Sequence, residues 1–594
     1  MKNISAINIF LSRLFRFFLI LYISSVIIIF FSVPNNIQLQ VAEIISGFLK
    51  NIYNSNGNIE KITAGIRKFS ILSVVSSIVI LLLSYLWQRI IKNNRSEKNI
   101  ISLPSGLPLN YIDWLIISST TVIACLLRFS GLFQSLWQDE IGVYDTFIKT
   151  GILSTIFPLN SMGTHPLMQI IVGIFTYFTG VNEITLRLPV FLLSVLSVPL
   201  IYYITLRLSG RRFTAIIAAL FLTIHSYHIY YSFQMRGYTM MVLFGMLSCY
   251  YLIKLLHYGG RRNSTLFIIS NVLMVYTHLY SVFLLLSQHI VILLIIFFRG
   301  NRYSPPVLIF SRRNLTDYLN SFILSVVFIC ILYLPHVATI SMTLFNSSPI
   351  RPSMYIPLSG EQEMASNIMN FFKTGYYFFS LSGDFIIPYI FLTGIIIFYI
   401  RTRKTDFIFQ FLFFQGVLLY IFYLITNTFS YELFPRYMIL LLPILIFLVS
   451  HSLSFLWFSG KKSNKIFFVI LTGMYLISTF KGYSRTYSVI QDYRQAVEYV
   501  HNDMQSENSL IISNSLGKNE IRYYDDSIIP SDKIENFEQL INSDKEIYAI
   551  VAYSSSLNDP GFERDLELQK LINTHFTEVK KIDGIFPVSV WKKN

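Results

Sequence analysis

The stretch YIDWLIISSTTVIACLLRFSGLFQSLWQDE, residues 111–140, decides the fold. It begins with about twenty mostly apolar residues, which is the length that an α-helix needs to cross a bilayer. It ends in two adjacent carboxylates, Asp139 and Glu140. The first 490 residues hold only 14 of the 32 acidic residues. A carboxylate pair at the end of a span is costly unless it stays hydrated or carries out chemistry.

Apolar runs of this kind recur along the chain. Of its 594 residues 53% are hydrophobic, and its mean hydropathy is +0.55. Soluble domains do not carry repeated runs of about 20 apolar residues, and the sequence lacks the short alternating segments typical of a transmembrane barrel. We therefore predict a mainly α fold, a polytopic transmembrane helix bundle in the lipid bilayer.

The net charge of +15 is not a sign of nucleic-acid binding. The basic residues form short clusters between apolar runs, which is typical of cytoplasmic loops. The clusters are 92–98, 211–212, 261–262, 299–313, 401–404 and 461–465. The three cysteines all lie inside apolar runs, so they predict neither a disulfide framework nor a zinc site.

The basic clusters also decide how one short apolar stretch, 165–181, is placed. If it crossed the membrane, the five clusters that follow it would all lie outside, against the positive-inside rule. We therefore expect 165–181 to be an interfacial helix within one long outer loop, 131–187. Hydropathy and charge then predict about 13 spans: 8–32, 68–89, 111–130, 188–208, 213–231, 238–257, 264–279, 282–298, 318–336, 385–401, 407–427, 434–457 and 465–483.

Composition divides the chain into three parts. Residues 1–110 carry two spans, of which the first is expected to be an anchor rather than a cleaved signal peptide. Residues 111–484 form the main transmembrane module, and 485–594 form a small α/β domain on the extracytoplasmic side, with 18 acidic residues from position 491 onward. Its predicted strands are 509–513, 547–553, 575–581 and 585–591, and its predicted helices are 488–504 and 560–573. The outer loop 337–384 is a candidate flap.

The predicted topology brings a set of polar residues to the outer ends of spans and to outer loops. Arginines on that side need an explanation other than charge bias, and an anionic ligand is one, because guanidinium groups match phosphate geometry. A carboxylate beside them could take a proton from an attacking hydroxyl. The set is Asp139, Glu140, His165, Arg187, Arg236, His278, Tyr280 and Arg436.

Each of these residues also has a structural interpretation that the sequence leaves open. The carboxylates could be solvated loop residues, His165 a helix cap and His278 a polar residue satisfied inside the bundle. The arginines could reach toward lipid headgroups. No diagnostic spacing of metal ligands occurs, so no metal site is predicted, although a divalent metal is left open by the mixture of acidic and histidine residues.

The order of the motifs resembles glycosyltransferase family 39, which comprises enzymes of the GT-C superfamily related to protein O-mannosyltransferases and to the transferase that adds aminoarabinose to lipid A. The resemblance covers about 111–480. The motifs are Trp-x-Asp-Glu at 137–140, His-Pro-Leu at 165–167, Arg-Leu-Pro at 187–189, Gly-Arg-Arg at 210–212, Arg-Gly-Tyr at 236–238 and Tyr-Thr-His at 276–278.

This resemblance implies an integral-membrane enzyme with a polyprenyl-phosphate-linked sugar donor and transfer on the extracytoplasmic face with inversion. It implies that Asp139 is the catalytic base and that Glu140 supports it or binds the acceptor. The donor phosphate would be bound by His165, Arg187, Arg236 and Arg436, with His278 and Tyr280 as further site residues. The acceptor would be a lipid, a glycan or a protein.

Two other functions stay open. A transporter or flippase of lipid-linked glycans would carry internal repeats and charges near the membrane midplane, and the sequence has no clear repeat. An enzyme similar to O-antigen ligases or polymerases would use a diphosphate-linked donor. The composition, rich in Asn, Ile and Lys and without an organelle signal, favours a bacterial plasma (inner) membrane protein.

Overall fold

A computed structural model describes most of the second and third predicted parts of the chain. The described residues are 107–156, 165–297, 311–336, 407–429, 435–505, 509–514, 517–534, 540–552 and 563–594. The predicted spans 8–32, 68–89 and 385–401 and the loop 337–384 lie outside them.

The described part is mainly helical, as the sequence predicts. The α-helices are α1 (Tyr111–Phe129), α2 (Gln138–Val143), α3 (Ile152–Ile156), α4 (Pro166–Thr179), α5 (Glu183–Ser209), α6 (Arg212–Ile224), α7 (Ser226–Tyr230), α8 (Tyr238–Tyr258), α9 (Arg261–Thr277), α10 (Val282–Phe297), α11 (Arg312–Tyr333), α12 (Phe407–Phe429), α13 (Leu442–Phe458), α14 (Lys462–Tyr487), α15 (Tyr493–Asp503), α16 (Lys518–Tyr524) and α17 (Glu563–His575). Short 3-10 turns cover Ser130–Phe133, Leu279–Ser281, Leu334–His336, Pro435–Leu441 and Ser531–Lys533, and Tyr144–Ile148 is a π-helical turn.

Seven helical segments in the described residues are long and apolar enough to cross a membrane. They are Tyr111–Phe133, Glu183–Ser209, Tyr238–Tyr258, Leu279–Ile296, Arg313–Tyr333, Arg436–Phe458 and Lys462–Tyr487. Each coincides with a predicted span, which confirms a multi-pass transmembrane bundle. The count of 13 spans stays a prediction.

Two predicted spans, 213–231 and 264–279, are not among the seven long apolar segments. The span 213–231 is interrupted, because α6 ends at Ile224 and His225 has an extended backbone with ψ of 112°. The His225 side chain accepts a hydrogen bond from the His228 amide and so starts the short helix α7. The span 264–279 corresponds to α9, which has 17 residues and opens with two arginines and an asparagine.

The stretch predicted to lie in the interface, 165–181, forms the helix α4 with 14 residues. At 1.5 Å per residue such a helix is about 21 Å long, which is shorter than the hydrocarbon core of about 30 Å. Pro166 occupies its first position, where a missing amide hydrogen costs nothing. Its length therefore favours the interfacial placement over a membrane crossing.

The C-terminal part is an α/β domain, as predicted. Its strands are β1 (Leu510–Ser513), β2 (Ile529–Pro530), β3 (Ile547–Ala552), β4 (Phe576–Ile582) and β5 (Val588–Lys593). They form one sheet in the order β2-β1-β3-β5-β4. The first three strands pair in parallel, and β5 pairs antiparallel with both β3 and β4. The sequence interpretation missed two elements, the two-residue strand β2 and the short helix α16.

Candidate active site

The loop after α1 turns the two neighbouring carboxylates in different directions. A 3-10 turn, Ser130–Phe133, follows α1, and the chain then enters the short helix α2 with Trp137 as its N-cap residue. Asp139 and Glu140 are consecutive in this helix, so their side chains leave its axis about 100° apart. The Glu140 side chain is buried inside the protein, and the Asp139 side chain remains partly exposed.

Glu140 is fully buried and paired with an arginine from α5. Its two carboxylate oxygens accept hydrogen bonds from Nε and Nη2 of Arg187 at 2.9 and 2.5 Å. The amide of Met235 donates a third hydrogen bond to the same carboxylate at 2.7 Å. Because each charge is buried against its counter-charge and hydrogen bonded, the pair satisfies the conditions under which a buried ion pair is tolerated.

Arg187 also holds the backbone of the loop. It donates to the carbonyl oxygens of Gly131, Gln134 and Ser135 at 3.3, 2.5 and 3.1 Å. The guanidinium is therefore surrounded by acceptors from the loop on several sides. These contacts favour a role for Arg187 and Glu140 in shaping the site, whereas the phosphate-binding role inferred for Arg187 from the resemblance stays a prediction.

Asp139 lies in a different environment, with its side chain 30% exposed. It forms an ion pair with Arg236 and lies 3.9 Å from Nη1 of Arg436. Both guanidinium groups also stand over aromatic faces, Arg236 over Trp137 at 5.7 Å and Arg436 over Tyr238 at 5.9 Å. Such cation–π contacts hold a guanidinium in place without using up all of its hydrogen-bond donors.

Aromatic rings and histidines form the wall beside these charges. The His165 ring lies 5.1 Å from Tyr238 and 4.9 Å from His278. His278 in turn lies 4.9 Å from Tyr437, and Tyr437 stacks on Tyr280 at 5.4 Å. The wall therefore connects α4, α8, the turn after α9 and the 3-10 segment Pro435–Leu441.

Gly237 explains how the Arg236 segment comes so close to His165. A Cβ atom at position 237 would lie 2.7 Å from Cγ2 of Thr277 and 3.0 Å from Nδ1 of His165. Contacts under 3.0 Å are not tolerated by real side chains. A side chain here would therefore force Thr277 or His165 to shift, which gives a physical reason for glycine in the Arg-Gly-Tyr motif.

The electrostatic balance of the site is positive. Two arginines face one partly exposed carboxylate, Asp139. Burial holds the pKa of His165 well below its usual range, and His278, Arg236 and Arg436 lower it further. His165 is therefore neutral at pH 7. Among the described residues, the buried Nε of Arg236 and hydroxyl of Tyr280 have no hydrogen-bond partner. Unsatisfied buried donors beside a surplus of positive charge are typical of a site for an anionic, polar ligand.

The structure thus places the predicted site residues in two groups. Asp139, Arg236, Arg436, His165, His278 and Tyr280 come together around one site. Glu140 and Arg187 form the buried pair behind it. Within the part of the chain that the structure describes, no three His, Cys, Asp or Glu side chains are grouped so that they could hold a metal ion.

The sequence interpretation left out several residues of this site. The rings of Trp137, Tyr238 and Tyr437 support the arginines and histidines, and each is a sequence neighbour of a predicted residue, so the aromatic flanks were the available signal. Glu520 of α16 also lies near the site, since burial, and after it the charges of Asp145 and Asp139, raise its pKa to about 7. No feature of the sequence around Glu520 pointed to this.

Comparison with known proteins gives one family match. Residues 144–311 match the family model described as dolichyl-phosphate-mannose-protein mannosyltransferase. The matched segment contains His165, Arg187, Arg236, His278 and Tyr280, and it begins after Asp139 and Glu140. A sequence comparison with curated proteins gives no match.

Several solved structures are similar to this chain at low identity. ArnT from Cupriavidus metallidurans, crystallised with undecaprenyl phosphate, is 12% identical with a TM-score of 0.47, covering 81% of this chain and 98% of that one. The archaeal oligosaccharyltransferase AglB from Archaeoglobus fulgidus, in complex with an inhibitory peptide and a dolichol-phosphate, is 11% identical with a TM-score of 0.42, covering 78% and 73%. The arabinosyltransferase EmbB from Mycobacterium smegmatis is 11% identical with a TM-score of 0.34, covering 70% and 41%.

The family match confirms both the resemblance that the motifs indicated and the predicted class of enzyme. The chain is a multi-pass membrane glycosyltransferase that resembles the protein mannosyltransferases over residues 144–311.

Proposed function

We propose that this chain transfers a monosaccharide from a polyprenyl-phosphate donor to an acceptor hydroxyl on the extracytoplasmic face of the plasma membrane, with Asp139 as the base. The observation that carries the proposal is the position of Asp139, a partly exposed carboxylate between two arginines that aromatic rings hold in place. A carboxylate and two guanidinium groups are what a reaction needs when a hydroxyl attacks and a phosphate leaves.

Arg236 and Arg436 would bind the donor phosphate. Guanidinium groups form charge-assisted hydrogen bonds with phosphate oxygens, and these bonds are about twice as strong as neutral ones. Arg236 has a buried Nε donor without a partner among the described residues, so it can donate a hydrogen bond to a phosphate oxygen without breaking an existing bond. A phosphate that binds both arginines would also compete with Asp139 for them, which would free the carboxylate to act as a base.

The reaction would be one displacement at the anomeric carbon. The acceptor oxygen forms a bond to that carbon while the bond from the carbon to the phosphate oxygen breaks. The electron pair of the broken bond leaves with the phosphate, where the two arginines stabilise the added charge. The acceptor proton moves to Asp139. A single displacement from the opposite side inverts the configuration.

The histidines and tyrosines would complete the donor pocket. His165 is neutral, since burial and nearby positive charges lower its pKa, so it would serve as a hydrogen-bonding group rather than as an extra cation. The rings of Tyr238, Tyr437 and Tyr280 offer apolar faces with polar edges, which suit a sugar that has both kinds of surface. The family description, which names a dolichyl-phosphate-linked sugar, supports the same class of donor.

The test is sugar transfer by the purified, detergent-solubilised protein. A panel of radiolabelled polyprenyl-phosphate sugars is offered with a crude membrane acceptor fraction to wild type, Asp139→Asn and Asp145→Asn. Asp145 is a matched control, because it lies in the following turn and pairs with Lys149 at 3.7 Å outside the cluster. We expect transfer by wild type and Asp145→Asn and none by Asp139→Asn.

Other outcomes would contradict the proposal. Wild-type transfer by Asp139→Asn would exclude Asp139 as the base. Transfer only from a diphosphate-linked oligosaccharide would favour the ligase or polymerase class. Movement of a lipid-linked glycan across vesicles without covalent transfer would favour a transporter.

A further inference from the structure

The loop that carries Asp139 does not pack only against the membrane helices. Its apolar side chains Leu136, Ile141 and Val143 are buried in a hydrophobic core that also contains Tyr493 and Ile521 of the C-terminal domain. Tyr523 of α16 adds an edge-on ring contact to Tyr144 at 5.3 Å. The C-terminal domain and the loop therefore share one core.

The same domain accepts hydrogen bonds from the loop backbone. The amide of Leu136 donates to the hydroxyl oxygen of Tyr524 at 2.8 Å, and the Ser135 hydroxyl donates to the same oxygen at 3.1 Å. The amide of Gln138 donates to Oε1 of Gln491 at 3.2 Å. Gln491 is fully buried, so this contact is protected from water.

These bonds matter because of where they fall on α2. Gln138 is its first residue, and the first amides of a helix have no acceptor within the helix. A helix of six residues is far below the length of about 12–15 at which isolated helices become even marginally stable. Partners from outside must therefore hold α2 in its helical form, and Gln491 and Tyr524 supply two of them.

The loop is held by two different parts of the chain. Arg187 on α5 binds its carbonyl oxygens at Gln134 and Ser135. Tyr524 and Gln491 accept hydrogen bonds from its amides at Leu136 and Gln138. Between them they fix the start of the helix on which Asp139 sits, and catalytic groups lose much of their effect when they move by about 1 Å.

We propose that the C-terminal domain is a positioning element of the active site, with Tyr524 and Gln491 as positioning residues that set the orientation of α2 and thereby of Asp139. This inference rests on the proposed role of Asp139 in sugar transfer. It assigns the domain a function in the catalytic step itself, distinct from acceptor recognition or from covering the site.

The test compares Tyr524→Phe with the neighbouring variant Tyr523→Phe in the full-length protein. Tyr524→Phe removes only the oxygen that accepts from Leu136 and Ser135. Tyr523 contacts the loop through its ring, so its hydroxyl can be removed as a matched control. Hydrogen–deuterium exchange is measured on the peptide 134–144, and turnover and donor Kd are measured on the same preparations.

In Tyr524→Phe we expect the Leu136 amide to exchange about fivefold faster and turnover to fall about fivefold, since one hydrogen bond contributes about 1 kcal/mol. The donor Kd should stay within about twofold, because the arginines remain in place. Tyr523→Phe should match wild type in all three measurements. A loss of stability alone would instead change Kd and turnover together.

Unchanged exchange in Tyr524→Phe would overturn the proposal, and so would faster exchange with wild-type turnover. The exchange measurement does not depend on the reaction. If wild type transfers no sugar from any donor, the proposed function fails. Faster hydrogen exchange of the peptide 134–144 in Tyr524→Phe, but not in Tyr523→Phe, would still support the positioning of the loop.

Discussion

Asp139 and Glu140 are neighbours in sequence with the same chemical group, and the structure gives them opposite surroundings. Glu140 has no exposure to solvent and forms three short hydrogen bonds, two of them with Arg187. Asp139 is 30% exposed and faces two arginines that are themselves held by aromatic rings. This difference is why we propose Asp139 and not Glu140 as the base: Asp139 is partly exposed to solvent, whereas the carboxylate of Glu140 is enclosed by its hydrogen-bond donors.

Glu520 adds a third case, a carboxyl that is buried next to other acids. Burial raises the pKa of Glu520 to about 7, with further contributions from Asp145 and Asp139. It is 6% exposed. The three groups thus represent three outcomes: a buried carboxylate compensated by a cation, an accessible one between two cations, and a buried one that keeps its proton up to near neutral pH.

The largest expected effect comes from breaking the buried pair. Arg187→Met leaves the Glu140 carboxylate buried without its counter-charge, and removing one partner of a buried pair costs about 3–5 kcal/mol. We expect a large fall in the thermal unfolding midpoint of the detergent-solubilised protein. Arg522→Met is the control, because its pair with Asp526 is at 3.9 Å and exposed and should contribute less than about 1 kcal/mol. Equal midpoints for the two variants would contradict the structural role of Arg187.

The next effect concerns the pH dependence of stability at Glu520. The group keeps its proton in the folded state up to about pH 7, while the unfolded chain releases it near the ordinary glutamate pKa of 4.5. Between these values the folded state binds more protons, so the free energy of unfolding falls as pH rises through this window. The full contribution is roughly 3 kcal/mol.

Glu520→Gln cannot ionise and lacks this dependence. Relative to wild type, the variant should therefore gain stability on going from pH 4 to pH 8. The measurement is the difference between the unfolding midpoints of wild type and Glu520→Gln at several pH values. A difference that does not change with pH would show that Glu520 ionises normally in the folded protein.

A smaller effect is expected from removing Arg236, which pairs with the partly exposed Asp139. Arg236→Ala removes a guanidinium beside Asp139, and a hydrogen bond to a charged group contributes about 1.5–3 kcal/mol, or roughly 10- to 100-fold in affinity. We expect the Kd for a polyprenyl phosphate to rise by that factor while the unfolding midpoint changes little. Arg261→Ala, an exposed arginine at the start of α9, should leave the Kd unchanged. Normal affinity in Arg236→Ala would remove this residue from the phosphate site.

The smallest effect tests the close packing around Gly237. Alanine there would push against Thr277 and His165, and moving a well-packed neighbour costs about 1–3 kcal/mol. Turnover should fall severalfold through displacement of His165. Gly173→Ala on α4 is the control, since nothing lies within 4 Å of its added Cβ, and turnover should not change. Wild-type turnover in Gly237→Ala would show that the approach of His165 to the Arg236 segment is not required.

Sequence patterns predicted the features that depend on local chemistry. Hydropathy located the seven long spans, and short segments typical of strands located four of the five strands. Charge bias brought Asp139, Arg236 and Arg436 to the same side of the membrane, and the structure places these side chains together.

Contacts between distant parts of the chain could not be predicted in this way. Glu140 and Arg187 are 47 positions apart, and Leu136 and Tyr524 are 388 apart. No local pattern distinguishes an arginine that binds a neighbouring carboxylate from one that faces a ligand. The different burial of Asp139 and Glu140 depends on how α5 and the C-terminal domain pack against the loop.

The most direct test of this difference is turnover per folded molecule, measured in parallel for Asp139→Asn and Glu140→Gln with the polyprenyl-phosphate sugar that wild type uses in the panel. We predict that Asp139→Asn keeps the wild-type unfolding midpoint and loses turnover by about 10²–10⁴-fold, the usual contribution of a general base. Glu140→Gln should unfold at a lower temperature and keep substantial turnover in the fraction that remains folded. Wild-type turnover in Asp139→Asn, or complete loss of turnover in stably folded Glu140→Gln, would contradict the account.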